Sequence, residues 1–282
     1  MMNKRRLTIL AALCALIPQT LQAQTEESLD AEFGLRLSAT ADKKVTRGLH
    51  VSLSEEVRLD NNFTGFDRLQ TTLGASYKIH PNIKLGAGYA FIAPYSSSSS
   101  SFKSTRHRLM LDATGTLHLA QWNIGLKERL QFTHRAGSFN TYQSATNAVE
   151  LKSRLLAKYK GWRQTGWTPY AYVELRTTFS GPTVNADCNA EGTEWYLPGT
   201  HTQEGEAGWF LEGFNGTYIN RLRASIGADY RLSQSGTLTF FLLLDRVSSR
   251  ALDANKEGTK LKSYTHRTGF VGTLGANYTY SF

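Results

Sequence analysis

The run Gly269–Phe282, G-F-V-G-T-L-G-A-N-Y-T-Y-S-F, decides how the rest of the chain is read. Phe270, Leu274, Ala276, Tyr278, Tyr280 and Phe282 share one parity; Val271, Thr273, Gly275, Asn277, Thr279 and Ser281 share the other. A period of two marks a strand, because successive Cβ atoms point to opposite faces. One face is mostly apolar and ends in aromatic rings, and the other is small and mostly polar. That pattern suits the wall of a transmembrane β-barrel, apolar toward lipid and polar toward the lumen. It suits a half-buried strand of a soluble sandwich equally well, so the choice rests on whether the pattern repeats.

Alternation recurs over 31–39, 49–59, 68–79, 83–91, 106–118, 122–135, 149–159, 167–179, 218–232 and 237–246, which with 269–282 makes eleven readable strands. In 49–59, Leu49, Val51, Leu53, Val57 and Leu59 oppose His50, Ser52, Ser54, Glu56 and Arg58. In 106–118, Leu109, Leu111, Ala113 and Leu117 oppose Arg108, Asp112, Thr114 and Thr116. Asp42–Arg47 reads as the first turn. His80-Pro81-Asn82 reads as another, because proline lacks a donor and punctuates strands. Links near 42, 80, 120, 163 and 234 are short, whereas those near 62, 98, 140, 197 and 255 are mostly longer. Strict alternation of short turns and long loops is the signature of an outer-membrane barrel, and a sandwich has no reason to show it. The predicted fold is all-β: a closed antiparallel transmembrane β-barrel of 10–12 strands. It occupies 24–282 as one domain, with a long outer loop at 180–214. Strand count and direction are in tension. The 31–39 segment runs inward, yet a single-chain bacterial barrel usually starts and ends on the periplasmic side with an even count. Either 31–39 stands outside a ring of ten, or a further strand near the N-terminus completes twelve.

The first residues fit export. Lys4, Arg5 and Arg6 precede the apolar run 7–17, broken only by Thr8, and Leu21-Gln22-Ala23 follows Pro18. This is the pattern of a secretory signal peptide over 1–23, with cleavage expected near Ala23–Gln24. The apolar run is too short to span a bilayer as a helix, and no later run approaches the ~20 apolar residues that would. A mean hydropathy of −0.36 is compatible with alternating strands. The leader carries three of the 32 Lys and Arg and no acid, leaving 29 bases against 23 acids. That balance permits acidic partners such as lipopolysaccharide phosphates or nucleic acid, and export argues against nucleic acid. Cys188 is the one cysteine beyond the leader, so an internal disulfide is excluded. No Cys/His spacing suggests zinc, and no metal or cofactor is expected.

The runs L-G-A-S-Y-K at 73–78, L-G-A-G-Y at 85–89, I-G-A-D-Y at 226–230 and L-G-A-N-Y at 274–278 echo one another. With P-Y-A-Y-V-E at 169–174, the chain resembles a family of uncharacterised bacterial outer-membrane β-barrels classed as a domain of unknown function. The resemblance implies a barrel over most of the mature chain. It brings no established activity and hence no catalytic residue. The last strand resembles the closing strand of bacterial outer-membrane barrels, in which a final Phe is part of the signal read by the barrel-assembly machinery. That resemblance implies an assembly role for Tyr280 and Phe282.

Candidate sites follow from parity. The inward face gathers Arg36, Arg58, Arg68, Arg108, Arg129, Lys152, Arg154, Arg176, Arg221, Arg223 and Arg231. It also gathers Glu32, Glu56, Asp112, Glu150, Glu174, Asp229 and Asp245. Two readings are open: a ladder of ion pairs filling a narrow interior, or a basic pore or pocket favouring anions. A barrel of this size is nearly filled by its own side chains, unlike a porin. At the loop ends His107, His134 and His266 fall on lipid-facing parity, flanked by Arg106, Arg108, Arg135 and Arg267. Such a collar could meet the phosphates of outer-membrane lipids, including lipopolysaccharide; an imidazole simply tolerated at an interface explains it as well. His50, Ser52 and Glu56 share a face, but neighbours at i and i+2 are about 6–7 Å apart, too far for direct contact. No catalytic residue is named and no enzyme is expected. The expected function is a narrow channel or transport-type protein with a basic lumen. The alternatives are a plugged structural or adhesive barrel acting through its loops, and a lipid-modifying enzyme.

Overall fold

A computed structural model describes residues 25–96, 99–184, 187–188, 195–196, 211–258 and 261–282. The expected leader and most of the 185–210 segment lie outside the described residues. Eleven long strands form one ring in chain order. They are β1 (Thr25–Thr46), β2 (Leu49–Asp60), β3 (Gly65–His80), β4 (Ile83–Ser96), β5 (Arg106–Leu119), β6 (Trp122–Arg135), β7 (Asn147–Tyr159), β8 (Trp167–Val184), β9 (Leu211–Arg231), β10 (Gly236–Ala254) and β11 (Leu261–Ser281). Each pairs antiparallel with the next, and β11 returns to pair with β1.

That closing seam corrects the expectation of a wholly antiparallel ring. β1 and β11 run parallel, in register from Glu32↔Val271 to Asp42↔Ser281. The reason is arithmetic. In an up-and-down ring with an odd number of strands, the first and last point the same way. The count is therefore neither ten nor twelve, and the 31–39 segment is a full member of the ring. Hydrogen bonds of a parallel pair are slanted, and the pairing is slightly weaker than an antiparallel one. The seam is reinforced at its foot, where Phe282 N donates to Asp42 O and Lys44 N donates to Phe282 O. These bonds also explain why Asp42–Arg47 is not a turn. Residues 42–46 continue β1, paired with β2 as far as Thr46 and tied to the last residue by those bonds, and the turn is Arg47-Gly48, with Gly48 at φ +88°.

Five connections at one end are 47–48, 81–82, 120–121, 160–166 and 232–235; those at the other end are 61–64, 97–105, 136–146, 185–210 and 255–260. Link length does not alternate strictly. Asn61, Asn62 and Phe63 all adopt left-handed backbone, φ 47°, 53° and 71°, and fold the 61–64 link into a compact turn. Asn tolerates that region better than most residues. Asn62 Oδ1 also accepts a hydrogen bond from Phe33 N, holding β1 where it leaves β2.

The strands expose their apolar parity outward around the ring, from Phe33, Leu37 and Leu53 through Leu111 and Ile226, each 62% exposed, to Leu274. A contiguous apolar surface of this extent is not sustained in water. In hydrocarbon it carries no penalty, and closure leaves every strand paired, as a bilayer demands. This is the exterior of a transmembrane β-barrel. Aromatic pairs gather toward the short-link end: Trp122 with Tyr159 at 4.9 Å, Trp167 with Tyr230 at 4.7 Å and Tyr280 with Phe282 at 5.8 Å. They form the girdle expected where a barrel meets the membrane–water boundary.

At the long-link end β8 to β11 extend beyond their alternating stretches. Leu252, Ala254, Leu261 and Tyr264 make a small buried apolar cluster there, with Val184, Leu211 and Tyr142 against it. Tyr142 belongs to the 136–146 link. Asn140 Nδ2 donates to Ala254 O (2.8 Å) and Gln143 Nε2 to Asp253 Oδ1 (2.6 Å). The β6–β7 link is thus fastened to the β10–β11 hairpin, although β8 and β9 separate them in the sheet. Gly258, at φ +71°, lies under the Tyr142 ring, where a Cβ would collide.

Candidate functional site

Inward parity builds the lumen. A cavity of about 460 Å³ occupies its long-link half. Among the described residues, thirteen basic side chains and three carboxylates line it. A smaller cavity of about 160 Å³ continues toward the short-link end and shares Met110, Lys127 and Arg129 with the first. Its wall is Ser52, Thr72, Gly74, Ser76, Gly86 and Gly88 with Lys84 and Asp112.

The carboxylates are each held by more than one donor. Glu56 meets Arg58 (2.6 Å) and Arg36 (3.5 Å). Glu174, almost fully buried, takes both Nε and Nη2 of Arg154 through one oxygen, and Arg223 lies 3.9 Å from the other. Asp245 is 2% exposed and receives a bidentate pair from Arg223 (2.6 and 2.8 Å) and a third bond from Arg221 (2.9 Å). Asp112 takes the Arg129 fork at 2.6 and 2.8 Å and Lys127 at 2.9 Å. Glu150 is held more loosely, by Arg176 at 3.4 Å and Asn220 at 3.2 Å. Such charge-assisted forks are the strong kind of hydrogen bond.

The bases outnumber these partners. Register places Arg129, Lys152, Arg176 and Arg221 directly opposite one another on β6, β7, β8 and β9. Like charges opposed across strands are destabilising. Asp112 relieves one end of the row and Asp245 the other, while no ion pair reaches Lys152 among the described residues. Arg108 donates to Thr133 Oγ1 at 2.9 Å rather than to a carboxylate. The Nε atoms of Arg106 and Arg176 are buried without a hydrogen-bond acceptor in the described structure.

Of the charged residues singled out by parity, Arg58, Arg68, Arg108, Arg129, Arg154, Arg176, Arg221, Arg223, Glu56, Glu150 and Glu174 line the larger cavity. Asp112 lies in the smaller one. Asp229 sits deeper toward the short-link end, bonded to Lys158 at 2.6 Å and Thr239 at 2.8 Å. Glu32 and Arg231 are exposed at opposite rims. Sequence reasoning passed over Lys127 and Gln131, which share the inward parity of Arg129. It set Arg106 and Arg135 on the rim, whereas both line the cavity. Aromatic rings occupy part of the lumen: Tyr172 stacks near Tyr170 at 6.4 Å and under Arg154 at 4.2 Å, and Phe241 lies across Gly275.

Two of the three rim histidines are neighbours and the third lies apart from them. His107 and His134 are directly paired in register. His107 Nδ1 is 2.6 Å from Tyr89 Oη, and His134 Nδ1 is 2.9 Å from Asn147 Oδ1. His266 stands on β11, across the ring, with Nε2 2.8 Å from Ser248 Oγ. Each imidazole has a local neutral partner.

No curated protein matches the chain. A solved structure described as outer-membrane expressed OmpT of Vibrio cholerae is similar at a TM-score of 0.32 and 10% identity, over 77% of this chain. The chain spans 60% of the length of that structure. A family model described as protein of unknown function (DUF2490) matches residues 33–189, more than half of the chain and the arc from within β1 to the end of β8, and the chain belongs to that family.

Proposed function

We propose that the protein is an outer-membrane β-barrel whose basic lumen forms a narrow passage favouring anions, with the short links periplasmic and the long links outside. The supporting observation is the imbalance of thirteen bases against three carboxylates around one cavity of about 460 Å³. A charged wall of one sign, set in a low-dielectric barrel, concentrates counter-ions of the other. Rings of Arg and Lys are the usual lining of anion pores. The test is the reversal potential of the purified protein in planar bilayers under a potassium chloride gradient. Anion selectivity is the expected outcome, and clear cation preference would defeat the reading.

A second reading has its own support. The 136–146 link is fastened to the β10–β11 hairpin, and the two lumen cavities meet only around Met110, Lys127 and Arg129. A barrel plugged at that waist would act through its loops, in a structural or adhesive role. Such a barrel passes no current.

A further inference from the structure

We infer that the lumen contains a discrete site for a soluble oxyanion bearing two or more negative charges, of the phosphate or phosphate-ester class, held by Arg108, Lys152 and Arg176. The inference rests on the basic-lumen reading for how the anion arrives, but its own support is local. Lys152 stands between Arg129 and Arg176 in a row of like charges, with no ion pair among the described residues. Register sets Lys152 directly opposite Arg176, and Arg108, Glu150 and Glu174 line the same cavity. Glu174 is already committed to Arg154 and Arg223. Arg108 spends its Nε on a hydroxyl. Arg176 makes one long bond to Glu150 and leaves its buried Nε without an acceptor.

Three cationic groups on β5, β7 and β8 therefore line one cavity, in which Glu150 is the loosely held carboxylate. Leaving a buried donor unmet costs free energy that a bound acceptor recovers. Two guanidinium forks and an ammonium offer more donors than a single halide can use, and they match the several oxygens of a tetrahedral oxyanion. The cavity's size falls within the roughly 300–1,000 Å³ of small-ligand sites. The site lies on the lumen side of the wall, away from lipid, which points to a solute rather than a headgroup. Glu150 is the internal competitor: its carboxylate occupies part of the positive field that the ligand would use.

Isothermal titration of the detergent-purified full chain with inorganic phosphate, at fixed ionic strength, tests this. Saturable binding at one site is expected, with nitrate giving no comparable isotherm. Lys152→Gln and Arg108→Gln should each weaken it about tenfold, and Glu150→Gln should tighten it. Lys152→Arg keeps the charge and should retain binding, which guards against loss through misfolding. Equal isotherms for phosphate and nitrate, or unchanged affinity in Lys152→Gln, would overturn the site. Phosphate binding by a protein that passes no current would keep the site and remove the channel. Anion-selective current with no phosphate binding would keep the channel and remove the site.

Discussion

On β5 to β9 the inward face carries long cationic side chains, from Arg106 and Arg108 to Arg221 and Arg223. On the short-link half of β1 to β4, and across β11, the same face carries Ser38, Thr40, Ser52, Thr72, Gly74, Gly86, Gly88 and Asn277. The two walls solve different problems. The basic wall supplies field and is held by a few heavily shared carboxylates. The small wall supplies room and is held by neutral hydrogen bonds, such as Ser38 Oγ to Asn277 Oδ1 at 2.8 Å and Thr40 Oγ1 to Ser54 Oγ at 3.0 Å. Charge gathers in the long-link half of the lumen and room in the short-link half of β1 to β4, and substitutions should separate them.

The sharpest break is expected at Asp245. Asp245→Asn removes the charge that Arg221 and Arg223 share, in a site where the carboxylate is 2% and Arg223 8% exposed. Breaking a buried pair from one side costs about 3–5 kcal/mol. Urea unfolding followed by tryptophan fluorescence and by heat-modifiable gel mobility should show a loss of that order. A shift below 1 kcal/mol, taken as roughly the value of an exposed pair, would mean that the basic wall does not depend on its carboxylates. Next in size, Thr72→Trp should fill the smaller cavity from the small wall. Unit conductance should fall at least about twofold while the reversal potential stays put, since bore and charge are independent levers. A change in selectivity would show that the walls are coupled. The smallest effect is expected from Asn277→Ala, which removes neutral bonds to Ser38, Thr40 and Thr279. The loss should be about 1 kcal/mol in the same unfolding assay, with permeation unchanged.

The wall was legible in the sequence because a closed barrel in lipid forces a period of two on every strand. Gly269–Phe282 states it, and all eleven alternating segments are strands of the ring. The strand ends were not legible where alternation fades. Residues 42–46 look like a turn and continue β1 because β2 and Phe282 pair with them, while 247–254 and 261–268 extend β10 and β11, which pair there and pack with Tyr142. Parity gathers lumen charges but carries no register. Only strand pairing sets Arg129, Lys152, Arg176 and Arg221 in one row, and only pairing sends His266 across the ring from His107. The odd strand count was in plain view as eleven segments. What the even-number habit obscured was that a parallel seam can complete the ring.

That seam leaves the two ends of the wall on opposite faces of the bilayer. Thr25 begins β1 among the long links, and Ser281 ends β11 among the short ones. An epitope joined ahead of Thr25 and another joined after Phe282 would therefore be reached by antibodies from different compartments. A ring of even count would display both to the same one.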